Sequence, residues 1–92
     1  DPLGGMKVTE GGYATMTRIL LDIAEKHCGG KVLCALEGGY DLSGLVMSVK
    51  AMIMELKGTS MYRPDKKISP SDEIKTTVDQ ARKALSPYWG DF

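Results

Sequence analysis

A tyrosine, Tyr40, follows two glycines, Gly38 and Gly39, and stands between two acids, Glu37 and Asp41. In "VLCALEGGYDL", residues 32–42, these close an apolar run and form the densest group of residues with chemistry to offer. Glycines at the end of a strand let the backbone bend tightly or come close to a ligand. A phosphate cradle is one such use, but "EGGYDLSG" matches neither GxGxxG nor GxxxxGK[ST], and its acids would repel phosphate. The phenol offers more. It keeps its proton at neutral pH and can donate a hydrogen bond to a developing oxyanion. The plainer alternative is that Gly-Gly is an ordinary strand-to-helix turn and Tyr40 a surface aromatic. On the chemistry of the residues alone, that plainer reading is favoured.

The other candidates are weaker. His27 is the single histidine, and a metal site takes three or four ligands, with no second histidine and no cysteine pair at ligand spacing to join it. At the end of a helix it interacts well with the dipole instead. Cys28 and Cys34 fall in no CxxC pattern and read as two buried, reduced thiols of a cytosolic protein. A disulfide between them would need close backbone approach. No serine sits in a nucleophile elbow. Glu25, Glu55, Glu73 and Asp79 read as solvated charge on polar helix faces, Asp41 as the N-cap of a helix, and the methionines as core filler.

The elements that must position Tyr40 follow from periodicity. Tyr13, Met16, Leu20, Ile23, Ala24 and His27 recur at helical spacing and predict a helix over about 10–27, with Thr9 as N-cap, Glu10 in the first turn and "CGG" as its stop. Residues 32–36 are continuously apolar, the pattern of a strand covered on both faces in a parallel sheet. Leu42, Leu45, Val46, Val49, Met52, Ile53 and Leu56 predict a second helix ended by Gly58. A polar linker over 59–68 leads to "SPSDEI", where Ser69, Pro70 and Asp72 mark a third helix start. Ile74, Val78, Ala81 and Leu85 continue that helix until Ser86 and Pro87 stop it, and Tyr88 and Trp89 pin the tail to the body. This order reads as α/β. A lone apolar strand, even with some strand character in residues 6–8, leaves its ladder groups unpaired, so its sheet partners are expected outside the chain.

The 92 residues carry 12 basic and 12 acidic side chains, a formal net charge of zero. That makes one domain at most, burying only about two thirds of its unfolded surface. No charge field favours nucleic acid or an anionic membrane, and no apolar run is long enough for a bilayer. "DPLGGMKVTE" has no signal-peptide layout and no initiator Met, so the chain reads as an internal piece of a longer, cytoplasmic protein.

"DPLGGMKVTEGGYATMTRILLDIA" followed by "KVLCALEGGYDLSGLVMSV" resembles the C-terminal part of the zinc-dependent histone deacetylase family, nearest its class II-like and bacterial deacetylase or acetylpolyamine amidohydrolase branch. The likeness covers roughly residues 1–57, with "KALSPYWG" similar more weakly. It implies the C-terminal portion of a mostly parallel-sheet, arginase/deacetylase-like α/β domain, with 1–58 inside the catalytic domain and 59–92 as linker, C-terminal helix and tail of the same domain. It implies amide hydrolysis of acetyl-lysine or an acetylated polyamine, in which zinc polarises the carbonyl and activates water. Tyr40 matches the tyrosine that donates to the oxyanion, which reverses the plainer reading above. Gly38 and Gly39 match glycines lining the acyl-lysine channel, and Leu3 an apolar residue at its mouth. The family's Asp-x-His pair, second zinc-binding Asp and His-His dyad have no match here, and Asp1 is not that second ligand. Zinc is therefore expected in the full-length enzyme and not on this chain, which alone is expected to be inactive. The partners implied are the missing N-terminal part or other copies of the chain, completing the sheet. The competing expectation is a non-catalytic assembly or binding module that oligomerises through its orphan strand.

Overall fold

In the computed structural model of the chain, residues 3–59 and 69–90 are described. They form three helices in chain order: α1, Glu10–Cys28; α2, Leu42–Leu56; and α3, Asp72–Trp89. Asp1, most of the expected linker, and the last two residues of the tail lie outside the described residues.

Local signals set the first two helices. Thr9 caps α1, its Oγ1 accepting the Gly12 N–H at 3.3 Å, and Glu10 occupies the first turn, where a negative charge meets the positive end of the helix. Asp41 caps α2, its Oδ2 accepting the Gly44 N–H at 3.3 Å. α2 closes at Gly58, whose φ of 69° lets the Thr59 N–H reach back to the Met54 carbonyl at 3.0 Å and the Gly58 N–H to the Glu55 carbonyl at 2.9 Å.

α3 departs from expectation at both ends. Its cap is Ser71, not Ser69: Ser71 Oγ accepts the Ile74 N–H at 3.3 Å, a frame that puts both Asp72 and Glu73 into the first turn. The helix also runs through Pro87 to Trp89. Proline has no N–H for the carbonyl of Lys83, and the Ser86 hydroxyl donates to that carbonyl instead, at 3.3 Å.

The α/β expectation is overturned, because no strand or sheet occurs among the described residues. Among the described residues, 32–36 have no ladder partner, and Leu33 is 96% exposed where burial on both faces was expected. A strand exists through the N–H and C=O groups it shares with a neighbour, and neither residues 6–8 nor anything else described supplies one. Cys28 and Cys34 are likewise exposed, free thiols rather than buried ones.

α1 and α2 pack on each other, and α3 packs on neither. Tyr88 and Trp89, expected to pin the tail, are both exposed. The buried residues of this helix pair are small, Ala14, Thr17 and Ala24 on α1 and Ala51 on α2, together with the acid Glu55 on α2. Thr17 satisfies its hydroxyl by donating to the Tyr13 carbonyl at 2.8 Å. Glu55, expected on a polar face, is 4% exposed and accepts from Arg18 Nη2 at 2.6 Å and Nε at 3.0 Å.

Of the stripe expected on α1, Ala24 is buried while Tyr13, Met16, Leu20 and Ile23 are exposed, as are Val46 and Ile53 on α2 and Leu36 before it. Helices apolar on more than one face belong inside a larger core. The radius of gyration agrees: 15.6 Å, against about 12 Å for a compact chain of this length. No described helix is long and apolar enough to cross a membrane.

Candidate functional site

The Gly-Gly-Tyr segment enters α2 directly, Tyr40 being the residue before the cap Asp41. Gly39 has φ 139°, and a Cβ added there would lie 2.7 Å from Leu45 Cδ1 and 3.2 Å from Cδ2. Glycine is thus required twice, by the backbone angle and by the leucine pressed against it. Gly38 differs. A Cβ on it would sit in ordinary contact, 3.9 Å from Tyr40 Cε2 and 4.0 Å from Tyr40 Oη, which shows the phenol ring turned back alongside Gly38. Tyr40 is 74% exposed.

Gly38 and Gly39 line a cleft of about 330 Å³ between the segment before α1 and one face of α2. Its walls are mostly apolar, with Met6, Val8 and Tyr13 on one side and Leu45, Val49 and Met52 on the other. Cys34, Asp41 and Ser48 are its polar contributors. Tyr40 and Leu3 are not among the lining residues. Leu3 lies in the exposed turn over 3–5. Of the four residues expected at a site, the two glycines share the cleft, Tyr40 follows them in the chain, and Leu3 stands apart. Met6, Val8, Tyr13 and Cys34 were not assigned to any site from the sequence. The strand character of residues 6–8 beside the apolar run ending at Leu36 is the signal that places two of them there.

The described residues do not fit a catalytic metal: no three His, Cys, Asp or Glu side chains among them gather to hold one ion. His27 lies exposed in the last turn of α1 beside Lys26, the end of the helix where positive charge is favoured. The chemistry on offer is therefore that of a hydrogen-bond donor on a phenol, beside an apolar cleft, with the neighbouring carboxylate of Asp41 engaged in a cap.

Exchanging each glycine separates the two requirements. Gly39→Ala is expected to destabilise the chain by more than about 1 kcal/mol, because alanine is strained at positive φ. Adding Leu45→Ala should recover the steric part of that loss and leave the backbone part. Gly38→Ala should fold with little cost and only narrow the space beside the tyrosine ring. Urea midpoints for the three proteins measure these differences; an equal loss for Gly38→Ala and Gly39→Ala would contradict the geometry.

The histone deacetylase domain is the family whose model matches this chain, over residues 1–56. Histone deacetylase 5 of Arabidopsis thaliana is 34% identical over 89 residues, covering 97% of this chain and 13% of its own length. A probable deacetylase of Archaeoglobus fulgidus is 30% identical over 105 aligned positions, covering all of this chain and 29% of its own length. The human polyamine deacetylase HDAC10 is 33% identical over 89 residues, again 97% of this chain and 13% of its own. The chain thus spans less than a third of the length of each of these relatives. No solved structure matches it.

Proposed function

The chain belongs to the histone deacetylase family, matching its C-terminal region, and from that premise we propose that it is the segment of a deacetylase that carries the oxyanion donor, Tyr40. The observation that supports this is the Gly38-Gly39-Tyr40 turn, which brings an exposed tyrosine to the head of α2 beside an apolar cleft. As an amide carbonyl is attacked, negative charge builds on its oxygen, and a donor already aimed at that position stabilises the transition state more than the substrate. Gly38 adds no side chain beside the phenol, where a Cβ would stand 4.0 Å from the hydroxyl oxygen.

The substrate class in this reading is an acetylated amine, acetyl-lysine or an acetylated polyamine. The name of the human relative supports including the second. In the family, zinc supplies Lewis-acid chemistry when bound, and the described residues of this chain provide no ligand set for it. The part of the reaction assigned to this chain is therefore hydrogen-bond donation and the walls beside it. The exposed apolar faces of α1 and α2, and the Leu33 side chain, are covered in this reading by the rest of the deacetylase domain.

The test compares two purified proteins in the presence of zinc, the 92-residue chain and a polypeptide that includes the upstream family motifs. Acetate release from an acetyl-lysine peptide and from an acetylated polyamine is measured for both. Activity is expected only in the longer protein. Zinc-dependent hydrolysis by the 92-residue chain alone would overturn the division of labour proposed here. The second reading is an assembly module; no strand lies among the described residues of the single chain, and the exposed apolar faces of α1 and α2 are what favour it. An inactive longer protein that associates through those faces would establish it.

A further inference from the structure

Resting on the reading of Tyr40 as the oxyanion donor, we propose that Asp41 is a positioning residue for that tyrosine, tying its loop to the first turn of α2 and so setting where the phenol stands. Asp41 is held to the helix twice. Its Oδ2 accepts the Gly44 N–H at 3.3 Å, and its carbonyl accepts the Leu45 N–H at 2.9 Å. Leu45 in turn lies against Gly39, on the other side of Tyr40. The residues before and after the tyrosine are thus anchored to one turn of one helix. The space at Gly44 belongs to the same device, because a Cβ there would come within 2.7 Å of Asp41 Oδ2.

Charge makes the cap more than a fastening. A free carboxylate one residue from an oxyanion donor would oppose the negative charge that the donor has to stabilise. Seated on the N-terminus of a 15-residue helix, it meets N–H groups and the positive end of the helix dipole instead. The same hydrogen bond that fixes the loop therefore directs the carboxylate at α2.

The test uses the polypeptide that carries the whole deacetylase domain, with kcat and KM measured on an acetyl-lysine peptide. Displacing a catalytic group by about 1 Å can cost about a hundredfold, and losing one of two anchors is expected to lower kcat about tenfold in Asp41→Ala with KM little changed. Asp41→Ser keeps a cap acceptor and should hold kcat within about threefold of the parent. In a Tyr40→Phe background, Asp41→Ala should cause no further fall, since its effect passes through the phenol. A merely structural role would lower stability without this split between kcat and KM and without dependence on Tyr40. An unchanged kcat in Asp41→Ala, equal impairment in Asp41→Ser, or a full further fall in the Tyr40→Phe background would each overturn the proposal. An unchanged kcat in Tyr40→Phe itself would instead overturn the reading on which the proposal rests. Should Asp41→Ala not fold, Asp41→Gly decides in its place, because glycine is tolerated at an N-cap but offers no acceptor.

Discussion

Tyr40→Phe lowers kcat for acetyl-lysine hydrolysis by about 10²- to 10³-fold in the polypeptide carrying the whole deacetylase domain, the usual cost of removing one oxyanion donor. KM moves little, because the hydroxyl bonds most strongly to the charge that exists only in the transition state. The substitution removes one oxygen from a residue that is 74% exposed and keeps the ring that stands beside Gly38. Steady-state kinetics with matched thermal melts check it. A rise in KM at constant kcat would make Tyr40 a ground-state contact, and no change in either constant would remove it from the reaction.

Arg18→Met lowers the stability of the same protein by about 2–3 kcal/mol. Cutting one partner from a fully buried pair costs about 3–5 kcal/mol, and this pair falls short of that limit because the Arg18 side chain is 47% exposed and already partly solvated. Glu55 is the buried member, and without the guanidinium its carboxylate keeps the desolvation cost and loses both of its donors from Arg18. The double variant Arg18→Met, Glu55→Met should recover most of the loss, since two apolar side chains fill the seam with no charge left behind. Urea midpoints at constant m-value report both changes. If the double variant falls as far as the single one, the pair contributes its own attraction rather than relief of a buried charge.

Signals that act within a few residues were readable. Thr9 and Asp41 cap the helices expected of them, α1 reaches one residue past its expected end, and α2 ends before Gly58. Each depends on one side chain and the backbone three or four residues away, so the distance in sequence is the distance in space. The same range explains the failure at α3. Two serines compete for its cap, and the one followed by two acids forms it. Pro87 would end the helix by rule, but the adjacent Ser86 hydroxyl takes up the carbonyl that proline leaves unpaired. The Gly-Gly-Tyr turn was legible both as a turn and, through its family likeness, as a candidate site.

What the residues determined by themselves was therefore the three helices, the caps of α1 and α2, the glycine turn at Tyr40, and the membership that "DPLGG" and "LEGGYDL" announce. Burial was decided elsewhere. Periodicity divides a helix into apolar and polar stripes but does not say which apolar stripe meets a neighbour, and here the contact uses the alanines while Met16, Leu20 and Ile23 face outward. Glu55 looks like any surface acid until α1 brings Arg18 to it from 37 positions away. Residues 32–36 have every local mark of a buried strand, yet a strand is a relation between two chains of hydrogen-bonding groups, and no second one lies among the described residues. Caps are set over three or four residues of chain, whereas seams, ion pairs and ladders depend on which distant segments meet, and only the tertiary structure decides that.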